Sequence, residues 1–200
     1  MSDLESLAAE ISRCTRCLLH RGRTKAVPGV GPSNAEIMFI GEAPGFHEDQ
    51  QGLPFVGAAG NFLDELLESI GLKREQVFIA NVIKCRPPGN RDPLPEEIEA
   101  CKPFLDRQID LIQPKLVVTL GRFSMARAFP KARISRIHGQ PRKIGGLLYY
   151  PMYHPAAALH QPSLRRTVEE DMRRIPELIE QAAQIADSPL PVEAEQLKLF

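Results

Sequence analysis

The stretch EIMFIGEAPG, residues 36–45, runs an unbroken apolar segment into a glycine and then sets a glutamate before Ala-Pro-Gly. Continuous apolar residues closed by Gly41 predict a strand buried on both faces over residues 36–40. Its end presents backbone groups and one carboxylate, Glu42, to whatever lies beyond. The pattern returns along the chain: VFIANVI (77–83), KLVVTL (115–120) and LLYYPMY (147–153) read as further buried strands. Between them, NFLDELLESIG places Phe62, Leu63, Leu66, Leu67 and Ile70 on one helical face, with Gly71 as C-cap. PEEIEACKPFLDRQIDLI (95–112) begins with proline and acids, as helix starts do, and Pro103 is expected to distort or break it. Residues 163–185 form a long helical stretch interrupted at Pro176. Buried strands alternating with helices predict an α/β fold, a mainly parallel sheet covered on both faces. In such sheets ligands bind beyond the carboxyl ends of the strands. GEAPG, residues 81–91 and HPAAAL (154–159) all fall there.

The bulk composition agrees with one domain. Two hundred residues at 43% apolar content build one well-buried core. No apolar run approaches a bilayer span and the N-terminus has no signal-peptide core, so a cytoplasmic protein without a membrane is expected. Its net charge is zero, but the charges are segregated. Arg13, Arg16, Arg21, Arg23 and Lys25 follow one another with no acid between them, as do the basic residues from Arg122 to Lys143, and Lys84, Arg86 and Arg91 share one loop. Grouped by a fold, these segments would make the basic face that a phosphate backbone requires; spread out, they are only a solvated surface.

The sequence has neither G-x-G-x-x-G nor G-x-x-x-x-G-K-[ST], so nucleotide-triphosphate binding is poorly supported. Its four cysteines are a C-x2-C pair, Cys14 and Cys17, then Cys85 and Cys101. In a reducing compartment they point to metal ligation, with zinc and an iron–sulfur cluster both open on spacing alone. Pro155 restrains His154 to an extended backbone. Asn81 sits within an apolar strand, where a buried amide needs partners from the backbone or from a ligand that offers a donor beside an acceptor.

GEAPG, GLPFVGAAG, NVIKCRPPGNRDP, the fourth cysteine and HPA, in that order and over nearly the whole chain, resemble the family 4 uracil-DNA glycosylases. The resemblance implies a three-layer α/β/α sandwich over residues 1–185 and a [4Fe–4S] cluster on Cys14, Cys17, Cys85 and Cys101. It implies a monomeric, monofunctional enzyme that flips uracil from DNA and hydrolyses its glycosidic bond. Phe55 would stack on the base, Asn81 would read its Watson–Crick edge, and the backbone from Gly41 through Ala43 to Gly45 would line the pocket. His154 would stabilise the departing uracil anion at O2, and Glu42 the sugar cation and the attacking water. Leu159 would wedge into the vacated space, Arg86 and Arg91 would meet DNA, and Glu48 is the candidate to exclude the thymine methyl. A relative in the wider superfamily that traps DNA covalently carries a histidine in the loop after the asparagine strand. KCRPPGNRDPLP contains none, and His138 lies in a later segment, so turnover with release of an abasic site is expected. The competing reading is a non-catalytic nucleic-acid-binding module with a structural metal.

Residues 186–200, ADSPLPVEAEQLKLF, are expected to form a disordered tail. Gln196, Leu197, Leu199 and Phe200 resemble the Q-L-x-L-F motif by which bacterial repair proteins bind the sliding clamp; packing on the parent domain is the equal alternative.

Overall fold

The computed structural model describes residues 3–182 and residue 184. In chain order the elements are α1 (Asp3–Arg13), β1 (Ile37–Gly41), α2 (Phe46–Gln51), α3 (Ala58–Ser69), β2 (Phe78–Asn81), α4 (Pro95–Ile112), β3 (Leu116–Leu120), α5 (Arg122–Ala126), α6 (Ile134–Ile137), β4 (Arg142–Ile144), β5 (Leu147–Met152), α7 (Pro155–His160), α8 (Ser163–Arg173) and α9 (Ile175–Gln181). The sheet runs β2-β1-β3-β5-β4. The first four strands in that order are parallel, and β4 joins β5 antiparallel at one edge.

Alternating side chains of each strand feed two cores. Ile37 and Phe39 of β1 join Leu63, Leu66, Leu67, Val168 and Met172 on one face of the sheet. Met38 and Ile40 join Leu7, Ile11, Phe104 and Leu105 on the other. This is the α/β/α sandwich that the apolar strands predict, because a strand with both faces covered has no room for polar alternation. Register then decides the site. Gly41 pairs with Asn81 and Leu120 with Met152, so the carboxyl ends of the parallel strands are level.

Two details depart from the sequence reading. α4 continues through Pro103 without a break. The proline lies on the exposed side, where water can take up the carbonyl it frees, while Cys101, Phe104, Leu105, Gln108 and Ile112 keep the inner stripe packed. The second is β4, part of a hairpin that the apolar pattern does not announce. Gly145 and Gly146 have φ of 59° and 84° and form its two-residue turn. Pro176 behaves as expected, separating α8 from α9 at Arg174. Among the described residues no helix is long and apolar enough to cross a membrane. The boundary at residue 185 and the clamp-like ending lie outside the described residues.

Candidate active site at the strand ends

Gly41 is the floor on which three elements meet. A Cβ there would stand 2.4 Å from Asn81 Oδ1 and 2.6 Å from Phe55 Cζ. The last residue of β1 must therefore be glycine for the Asn81 amide and the Phe55 ring to converge above it. Asn81 ends β2 and is 2% exposed, and Phe55 is 5% exposed. Phe55 itself is held at φ 52°, a left-handed conformation that costs a side-chain-bearing residue about 1–2 kcal/mol. The surroundings impose it: Val56 and Gly57 N–H groups donate to Glu48 Oε1 at 3.0 and 3.2 Å. The Phe55 carbonyl also rests on Gly60, where a Cβ would come within 1.9 Å of it.

His154 follows β5 and caps α7. The Ala156 N–H donates to its Nδ1 at 3.1 Å, so the neutral ring carries its proton on Nε2. Burial pushes the pKa down to about 4, against the opposing pull of Glu48. The residue as a whole stays partly exposed. The imidazole and the Phe55 ring lie 5.4 Å apart between centroids at 23°, an offset stack that covers only part of the phenyl face.

Glu42 is half-buried beside this cluster. Burial raises its pKa, Asp92 adds to the rise and Arg122 opposes it. Its backbone is fixed, since its carbonyl accepts from the Ile83 N–H at 3.2 Å. Ala43 turns into the α1–α4 core. Gly45 caps α2 and leaves room for Glu48 Oε2, which a Cβ would approach to 2.8 Å. Glu48 thus pins the segment that carries Phe55.

All four cysteines line one cavity with Ile11, Arg23, Lys84 and Phe104. The chain brings them there from the end of α1, the segment after β2 and the inner stripe of α4. Among the described residues no three His, Cys, Asp or Glu side chains converge on a single-ion point. Donors already face the sulfurs: Arg16 N–H to Cys14 at 3.4 Å, Arg23 Nη1 to Cys85 at 3.2 Å and Lys84 N–H to Cys101 at 3.3 Å. Burial raises the Cys17, Cys85 and Cys101 thiols, Cys101 to about 11. Four thiols around one cavity, with N–H donors facing three of the sulfurs, are a donor set that suits a thiolate-bound metal centre.

Basic residues gather only in part. Arg16, Arg86 and Arg91 line a cavity of about 540 Å³ together with Cys17, Leu18, Leu94, Glu96 and Glu97. Arg91 is held bidentately by Glu97 at 2.9 and 2.6 Å. Arg122 and Arg127 pair with Asp92 and Asp106. Arg86 stays with Asn90 and the Phe46 ring, without a carboxylate partner among the described residues. Leu159, on α7, is 42% exposed. His138 is bound to Asp171 at 2.9 Å and packs on Tyr153. The sequence reading missed Glu48 as a clamp on the Phe55 segment, Gly60 as its seat, and Lys84. A glutamate one turn into a helix that follows GEAPG was the available signal for the first.

The model of the uracil DNA glycosylase superfamily matches residues 28–178. The chain is 51% identical to a type-4 uracil-DNA glycosylase of Sulfurisphaera tokodaii, over 89% of this chain and 86% of that protein. It is 48% identical to one of Archaeoglobus fulgidus, covering 89% and 94%. It is 43% identical to one of Thermotoga maritima, covering 86% and 92%.

Proposed function

The chain belongs to the type-4 enzymes of the uracil-DNA glycosylase superfamily, and on that premise we propose how its own residues remove uracil from DNA. The enzyme hydrolyses an N-glycosidic bond and leaves an abasic site. A non-catalytic binding module is not favoured, since it gives no reason for Glu42, Asn81 and His154 to share one rim.

The observation that carries the reading is the single proton-bearing nitrogen of His154. With Nδ1 occupied by the Ala156 N–H, Nε2–H is the donor left for uracil O2, and it strengthens as negative charge develops there. The flipped base lies coplanar with that imidazole and stacks on the open part of Phe55. Asn81 accepts from N3–H and donates to O4. Cytosine reverses that pattern and leaves both amide groups unpaired, a large cost where the amide is buried. The backbone from Gly41 to Gly45 lines the slot. Glu42, ionised, stabilises the sugar cation and orients the attacking water. Leu159 fills the space the base leaves, and Arg86 meets the phosphate backbone. Arg91, fastened to Glu97, supports the loop that carries Arg86.

Cys14, Cys17, Cys85 and Cys101 would hold a [4Fe–4S] cluster. Bound, that group ties the N-terminal segment to α4 and to the segment after β2; hydrolysis itself transfers no electrons. Gln196, Leu197, Leu199 and Phe200 form a proposed sliding-clamp ligand. Deleting residues 196–200 is expected to abolish clamp binding in calorimetry and to leave cleavage of short oligonucleotides intact.

The test of the reaction is incubation with a uracil-containing oligonucleotide followed by alkali. Strand scission at the uracil is the expected result. No scission on either single- or double-stranded substrate would overturn the reading.

A further inference from the structure

Lys84 is 1% exposed and has no carboxylate partner among the described residues. Its Nζ donates instead to the Asn81 carbonyl at 2.9 Å and to Gln108 Oε1 at 2.7 Å. A buried amine whose partners are both neutral carbonyl groups is costly in either protonation state, so its place needs a reason.

The reason lies at the sheet edge. β2 is the outermost strand, and its free side is met at Ile79, which exchanges both backbone hydrogen bonds with Val30 at 2.9 and 2.8 Å. Extending that antiparallel register by two residues in each segment would set Pro28 opposite Asn81. Proline has no N–H, so the rung that would hold the Asn81 carbonyl cannot form. Side chains supply it. Lys84 Nζ donates to the Asn81 carbonyl, Gln108 Oε1 accepts from the same ammonium, and Gln108 Nε2 donates to the Pro28 carbonyl at 2.7 Å. The backbone of Lys84 is fastened in turn, its carbonyl accepting from the Val27 N–H at 2.8 Å and its N–H donating to Cys101 Sγ at 3.3 Å.

We propose that Lys84 is a positioning residue for uracil recognition: by replacing the missing rung at Asn81 it fixes the backbone from which the Asn81 amide is presented to the base. The inference rests on the reading of Asn81 as the residue that meets the uracil edge. It also makes the outer side of Asn81, opposite its pairing with β1, depend on α4 through Gln108.

Lys84→Met keeps the stem and removes the donor. On a uracil-containing single-stranded oligonucleotide it should raise KM, and the inhibition constant of free uracil, by about tenfold. Affinity for the same oligonucleotide carrying an uncleavable abasic analogue should stay unchanged, as should iron content. A double-mutant cycle separates positioning from general loosening. In an Asn81→Ala background, Lys84→Met should add nothing beyond about twofold, because its effect runs through the missing amide. An equal loss in both backgrounds, or weakened binding of the abasic analogue, would overturn the proposal. If Lys84→Met does not fold, Gln108→Leu, which frees the ammonium from α4, is carried through the same cycle with the same two outcomes. Full uracil activity in Asn81→Ala alone would defeat the underlying reading, whatever Lys84 does.

Discussion

At the scale of single residues, one backbone N–H selects the chemistry of His154. With its pKa pushed down to about 4, the ring is neutral at working pH and its tautomer is set by Ala156. Nitrogen NMR of the labelled ring should show protonated Nε2 and bare Nδ1 from neutrality down to about pH 5; a protonated Nδ1 would remove the anion-stabilising role. Glu42 is shifted the opposite way from His154, upward through burial and Asp92. In its proposed role it acts as an anion, so kcat/KM should fall as pH drops through a value above that of an ordinary glutamate. That limb precedes any protonation of His154 and should vanish in Glu42→Gln. His154→Ala should lower kcat by about 10²–10³-fold with DNA affinity retained. Two glycines divide the roles of space. Gly41→Ala puts a methyl against the movable ends of Asn81 and Phe55, so uracil cleavage should be lost while the melting temperature changes little. Gly60→Ala drives a methyl into the Phe55 carbonyl, which is backbone, so both activity and melting temperature should fall. His154-Pro155 and GEAPG were legible as chemistry in the sequence. The tautomer and the Gly60 seat were not, because each depends on an atom of another residue brought near by the fold.

At the scale of elements, α4 carries Cys101 toward one cavity and Gln108 toward Lys84 from the same inner stripe. Its proline was expected to distort or break it, and the helix runs through it without a break. The expectation weighs the lost hydrogen bond and the ring clash, whereas the helix is held by its packed face, and the carbonyl freed by Pro103 lies in water. Pro103→Ala should therefore raise stability by about 1–3 kcal/mol in urea denaturation, with iron content unchanged. A fall in iron content would mean that the local geometry at Pro103 aims Cys101. The segment joining α2 to α3 shows the reverse balance. Glu48 and Gly60 hold Phe55 in a backbone conformation that its own sequence disfavours. The strain sits at the proposed base slot, as a pre-formed platform would require.

At the scale of the molecule, the cysteine cavity joins parts of the chain that share no secondary structure. Cys14 follows α1, Cys85 follows β2 and Cys101 lies in α4. Cys85→Ala should lose iron and also the Arg23 contact at 3.2 Å. Limited proteolysis should then cut within residues 14–25 first, while uracil cleavage at low temperature falls less than cleavage near the melting point. Protein that binds stoichiometric zinc and remains colourless after anaerobic preparation would show that the four thiols hold a different metal.

The apolar runs at 36–40, 77–83 and 115–120 decided the parallel sheet, since only strands covered on both faces can be apolar throughout. The sheet was a local signal, carried by periodicity and residue type. The kind of chemistry came from the ordered motifs GEAPG, NVIKCRPPGNRDP and HPA at the strand ends, through their family resemblance. The hairpin at Gly145-Gly146, the clamp of Glu48 on Val56 and Gly57, and the chain Asn81–Lys84–Gln108–Pro28 came from the folded molecule. The last depends on segments that become neighbours across 24 and 80 residues, and the first two on how short turns are seated against the sheet. Register and packing settle that for the whole chain at once, and a buried polar group takes whichever partner they leave within reach.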